Sequence, residues 1–254
     1  MMRIGVLVLL QMLHSVESAK APKGSSLNLG DATLLVLDGL ADEGMKLANE
    51  VLAKEGTDVN LEVEYDDGSK GSPLAVAIHS TGKPDAEDCM DLINKLLAHK
   101  DVDVNKPLIA PDGSAVPPLM LAVKAVTAGS KIGVEIAKGL LANEKIAVNA
   151  MSSGGKAKLA SLHLALAAAA KGAAGGMEVT RALLGRSDID ADVEMVGPDG
   201  KAMTPLMKLA TMLKESPSDA NLQAAVALLR GRAKALEDPE LQSLVAGAKG
   251  KDEL

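Results

Sequence analysis

Ser72-Pro-Leu-Ala-Val-Ala77, Pro117-Pro-Leu-Met-Leu-Ala122, Ala160-Ser-Leu-His-Leu-Ala165 and Thr204-Pro-Leu-Met-Lys-Leu209 are four versions of one phrase, sharing a Leu at 74, 119, 162 and 206. Successive leucines lie 45, 43 and 44 residues apart. A fixed period of that size is the signature of one supersecondary unit stacked on copies of itself. The phrase reads as a helix opening. Ser or Thr caps the first turn, Pro stands where its missing N–H costs nothing, and the Leu and Ala that follow bury the turn.

Six to eight residues before each Leu stands a tight-turn signal: Asp67-Gly68, Asp112-Gly113, Gly154-Gly155 and Asp199-Gly200. Such pairs supply the positive φ of a two-residue hairpin, so a β-hairpin is expected ahead of each opening. A second apolar helix should end at Val51-Leu52, Leu96-Leu97, Leu140-Leu141, Leu183-Leu184 and Leu228-Leu229. The chain then leaves through Thr57-Asp-Val-Asn60, Val102-Asp-Val-Asn105, Ile146-Ala-Val-Asn149 and Ile189-Asp-Ala-Asp192, where Asn or Asp tolerates a left-handed backbone.

Helix, loop, helix, extended exit and hairpin, with a Thr-Pro-Leu-His-x-Ala-like opening and an Asp-Val-Asn exit, resemble the ankyrin repeat. The resemblance covers residues 31 to about 236 and implies a mostly α solenoid: about five helix-loop-helix units joined by β-hairpin fingers. The period exceeds the 33 residues usual for ankyrin, and a HEAT or armadillo solenoid of about 40–47 residues fits the length better. The hairpin signals decide against that alternative, because purely helical repeats need no Asp-Gly between extended segments. The first unit opens without Pro, at Ala32-Thr-Leu-Leu-Val-Leu37, as a capping repeat would. The resemblance further implies that His163 makes a structural hydrogen bond between units, and that the fingers and concave inner helices bind another protein. Asp66, Asp67, Lys70, Asp112, Lys156, Lys158, Asp199 and Lys201 fall at the finger tips; Lys124 and Lys208, with Val76, Leu121 and Leu164, fall on the inner helices.

The ends of the sequence speak of location. Residues 1–18 have a secretory pattern, with Arg3, the apolar run Ile4 to Leu13 and a polar stretch to Ser18. That run is too short to span a bilayer, so no membrane span is expected after signal cleavage. Residues 19–30 read as a flexible leader. Residues 237–254 read as a cap helix opened by Asp238-Pro239-Glu240, followed by the tetrapeptide Lys251-Asp252-Glu253-Leu254, a retrieval address of the endoplasmic reticulum. The expectation is a monomeric lumenal resident met by a KDEL-type retrieval receptor and by an unknown protein ligand.

Composition narrows the chemistry. In 254 residues there is one Cys, one Tyr and neither Phe nor Trp, and the net charge is -7. No stacking platform or basic block exists for nucleic acid. No internal disulfide and no thiolate-rich zinc site can form from one Cys. Cys89 with His79 and His99 is the candidate for a thiol-dependent or redox enzyme, but its helical register with Ile93 and Leu96 makes it a core residue. Asp188, Asp190, Asp192 and Glu194 alternate as if for calcium, yet Val193 and Asp199 stand where an EF-hand needs Gly and Glu, so they read as the solvated side of a strand. An acidic calcium buffer is thus the third class considered. The leading expectation is a non-catalytic scaffold or adaptor with no catalytic residue, metal or cofactor.

Overall fold

Asn28 opens the first helix by accepting the Gly30 and Asp31 N–H groups, while the Asp31 carboxylate accepts the Asn28 N–H at 2.8 Å, a reciprocal capping box. The computed structural model describes residues 27–65, 67–82, 89–155, 157–197, 200–234, 236 and 239–248. Residues 1–26, Asp66, Lys156, Asp199 and Lys251 to Leu254 lie outside them, and with them the secretory run and the retrieval tetrapeptide. Leu29 and Gly30, expected at the end of the leader, are already the first turn of the array.

Five helix pairs follow. They are α1 (Leu29–Leu37) with α2 (Ala41–Leu52), α3 (Pro73–Ser80) with α4 (Cys89–Leu97), α5 (Pro118–Thr127) with α6 (Lys131–Ala142), α7 (Ser161–Ala170) with α8 (Gly176–Gly185), and α9 (Pro205–Glu215) with α10 (Ala220–Arg230); α11 (Pro239–Gly247) closes the described chain. Ser72 and Thr204 cap their helices through the Ala75 and Met207 N–H groups at 3.2 and 3.3 Å. Each inner helix packs on its outer partner and on the inner helix of the next unit. The shared leucines lie at the centre of the one continuous core: Leu74 and Leu162 are fully buried, Leu119 and Leu206 nearly so. A stack of this kind buries what no single pair could bury alone.

The fingers are β1 (Val63–Glu64) with β2 (Lys70–Gly71), β3 (Leu108–Ile109) with β4 (Ala115–Val116), and β5 (Met195–Val196) with β6 (Ala202–Met203). Their tips correct the two-residue expectation. Tyr65 N–H donates to Ser69 O and Gly68 N–H to Tyr65 O, which leaves three residues in the loop; the tips from Ala110 to Ser114 and Gly197 to Lys201 repeat this pattern. The last loop residue is left-handed in each, with φ of 83°, 79° and 76° at Gly68, Gly113 and Gly200. That is the three-residue hairpin with a terminal bulge, which needs glycine once. The fingers also join one another. β2 pairs with β3, Ala115 with Ser153, and Lys158 with Val196, every step antiparallel, so the hairpins form one ribbon along the array.

The exits hold the units in register. Asn60 Nδ2 donates to Asp101 O and its Oδ1 accepts from Asp103 N–H; Asn105 bridges Lys145 O and Ala147 N–H in the same way, and Asn149 bridges Asp188 O and Asp190 N–H, all at 2.7–2.9 Å. Asp192 ends the ladder by accepting the Lys234 N–H. The expectation of a left-handed backbone at these residues is thereby corrected: the left-handed positions among the described residues are glycines. A primary amide offers a donor and an acceptor side by side, and so binds one peptide edge of the next unit.

Candidate interaction surface

Helix α7 presents His163, Leu164 and Ala167 toward α9, and strand β5 brings Met195 over them. Together with Leu159, Leu166, Pro205, Lys208, Leu209 and Met212 they line an almost wholly apolar cavity of about 210 Å³. His163 is buried, 8% exposed, and its Nδ1 accepts the Ala160 N–H at 3.0 Å. That bond is local, three residues back, and not the link between units that the family resemblance implies. It also sets the tautomer, since a neutral ring that accepts at Nδ1 carries its proton at Nε2. Nε2 is buried and makes no hydrogen bond of ordinary geometry, although the Val193 main chain acts on the ring as a hydrogen-bond partner would.

Burial holds the His163 pKa below its ordinary value near 6.5, against an opposing contribution from the Val193 and Ala160 main chain. The linkage follows from the sign. The unfolded chain binds this proton more readily, so the stabilisation is full above about pH 6.5 and is lost as pH falls through the lower folded value. In urea titrations the wild-type midpoint should therefore decline below about pH 6.5 more steeply than that of His163→Gln, whose amide can keep the Ala160 bond. Parallel declines would show that the ring does not titrate differently on folding.

Lys124 on α5 and Lys208 on α9 are exposed on the inner-helix face, and neither has an ion-pair partner among the described residues. Met207, beside Lys208, is 39% exposed. Met207, Met195 and Met212 were not singled out from the sequence; the only signal was that Met207 takes the position of His163 in its own unit. At the fingers several of the expected residues are engaged by their own hairpin or a neighbouring side chain. Lys70 pairs with Glu64 at 3.1 Å. The Asp67 carboxylate accepts the Ser69 N–H at 2.8 Å and lies 3.4 Å from His79 Nε2. Burial slightly opposes its ionisation, and the Ser69 and His79 contacts outweigh that to lower its pKa. Asp112 likewise accepts the Ser114 N–H, which lowers its pKa. These carboxylates are parts of their turns. Lys158 and Lys201 are exposed along the ribbon.

The other candidate constellations do not assemble. Cys89 is 3% exposed in the core, His79 faces Asp67, and His99 Nδ1 accepts the Asp101 N–H at 3.2 Å. Ellman's reagent should leave the native thiol unmodified and react stoichiometrically in concentrated guanidinium chloride; prompt native reaction would restore Cys89 as a nucleophile. Asp188 and Asp192 lie in turns and Asp190 in the irregular backbone between them, not in the strand expected for them. Asp188 takes a bidentate contact from Arg186 at 2.9 Å, which lowers its pKa, and Asp190 accepts the Asp192 N–H. Arg186, which the sequence did not flag, also donates to Leu141 O of the preceding unit at 2.9 Å. Among the described residues no three His, Cys, Asp or Glu are grouped to hold a metal, and no helix is long and apolar enough to cross a membrane.

No protein-family model and no curated protein matches the sequence. Among solved structures, the crystal structure of Legionella pneumophila effector AnkC, an ankyrin-repeat protein, superposes with a TM-score of 0.58 at 16% sequence identity. The match covers 87% of this chain and 66% of that one, so the chain spans just under two thirds of its neighbour's length. The likeness is one of fold: this chain is a mostly helical, ankyrin-like repeat solenoid.

Proposed function

We propose that this chain is a non-catalytic protein–protein interaction scaffold or adaptor that works in the lumen of the endoplasmic reticulum. The ankyrin-like architecture supports the first half, since such arrays present extended concave surfaces whose common use is to hold other proteins. The observation that carries it is the inner-helix face from α5 to α9, where Lys124 and Lys208 are exposed without an ion-pair partner among the described residues and Lys208 borders an apolar cavity beside the finger ribbon. The lumenal half rests on the apolar run Ile4 to Leu13 and on Lys251 to Leu254 alone.

Each half has its own test. A photo-crosslinking residue at Lys208 should give a discrete heterologous adduct in cells, whereas one at Lys138, on the outer helix α6 and paired with Glu178, should not. Equal labelling from both faces would remove the scaffold reading. For location, the full chain and a version ending at Gly250 are expressed in a secretory cell and followed in lysate and medium. Release on truncation supports lumenal retrieval; failure of both forms to enter the pathway overturns it.

A further inference from the structure

The cavity between α7 and α9 has three properties that together specify an occupant. Its wall is apolar and partly built of Met195 and Met212, whose flexible thioethers adapt to a guest. Its volume of about 210 Å³ exceeds the roughly 150 Å³ that accepts a benzene ring and falls short of the ~300 Å³ from which small-molecule sites usually begin. Lys208, exposed and without an ion-pair partner among the described residues, borders the cavity.

Building on the scaffold reading, we infer that this cavity is the anchor pocket for an acidic partner segment, taking one large apolar side chain whose neighbouring carboxylate pairs with Lys208. A protein anchor fits better than a free small molecule because the space matches one side chain and the charge lies outside it, where a flanking residue would sit. A second copy of this chain is a poor source, since it has neither Phe nor Trp and its one Tyr, Tyr65, packs edge-on against its own His79 at 6.3 Å. Interface hot spots elsewhere have this form: an aromatic seated in a desolvated pocket with a polar rim.

The test uses the full chain with methyl-labelled methionine and acetylated, amidated pentapeptides Asp-Asp-X-Asp-Asp, X being Phe, Leu or Ala. The Phe peptide should shift the Met195 and Met212 methyl signals and bind about tenfold more tightly than the Ala peptide. Lys208→Glu should weaken it at least fivefold, and Ala167→Leu, which fills the cavity from a half-buried position, should abolish it while leaving the circular dichroism melt unchanged. His163→Gln should weaken it less than Ala167→Leu does. Absence of methyl shifts, or shifts that survive Ala167→Leu, overturns the pocket assignment. Indole binding as tightly as the Phe peptide, unaffected by Lys208→Glu, overturns the partner in favour of a small-molecule site. A Lys208 photo-adduct in cells with no peptide binding would leave the scaffold reading standing and the anchor pocket refuted.

Discussion

Leu162→Ala is expected to destabilise the fold by about 2–5 kcal/mol, the largest effect of any single substitution considered. Leu162 is fully buried, starts the inner helix of the fourth unit, and belongs to the core shared by its neighbours. Truncation removes the transfer energy of the lost methyl groups and leaves a hole that close-packed helices on either side cannot collapse into. Leu164, two residues on and half-exposed over the cavity, supplies the contrast: its replacement by Ala should cost less than about 1.5 kcal/mol. Urea denaturation gives both numbers from midpoints at unchanged slope. In a one-dimensional array a weakened unit can also decouple the two sides, and a reduced slope or two transitions for Leu162→Ala would report that decoupling. A cost under about 1 kcal/mol at Leu162 would contradict its place in the core.

Gly176→Ala is expected to cost about 1–3 kcal/mol although it removes a poor helix former. A Cβ at Gly176 would meet the Ala168 carbonyl carbon and the Ala169 nitrogen at 2.7 Å, and the Ala168 oxygen at 3.0 Å. All three are main-chain atoms of the preceding helix and cannot rotate away. The nine-residue-distant Gly185 in the same helix meets nothing within 4 Å, so there Ala should stabilise by up to about 1 kcal/mol through helix propensity. The two variants should therefore move the melting midpoint in opposite directions. If both stabilise, α7 and α8 do not approach as closely as described. Gly133 and Gly44 have the same role in the third and first units, with a Cβ 2.9 Å from Val126 N and 2.8 Å from Ala32 O respectively.

What could be read without the structure follows the range over which a residue acts. The helix openings at Ser72 and Thr204, the buried leucines at 74, 119, 162 and 206, the placement of Cys89 and the positive φ at Gly68, Gly113 and Gly200 each depend on neighbours within about four residues. The period then carried those local readings into an array. Other assignments failed where the decisive partner lies a unit away. Asn60, Asn105 and Asn149 look like turn residues in isolation, yet each bridges backbone 39–43 residues downstream. Gly176 is a poor helix former taken alone, and its place is set by the point at which two helices touch.

The candidate site divides in the same way. Lys124, Leu164 and Lys208 were placed on the inner face by counting from the shared Leu, because helix periodicity decides which side a residue takes. The cavity and the methionines Met195 and Met212 that line it were not legible, for they arise only when α9 and β5 close over α7. The sequence by itself therefore determined the unit, its helices and its core leucines, which local capping and periodic burial specify. Only the tertiary structure decided how the units lock and what their concave face offers, since hydrogen bonds and voids between units about 40 residues apart exist only once the stack has formed.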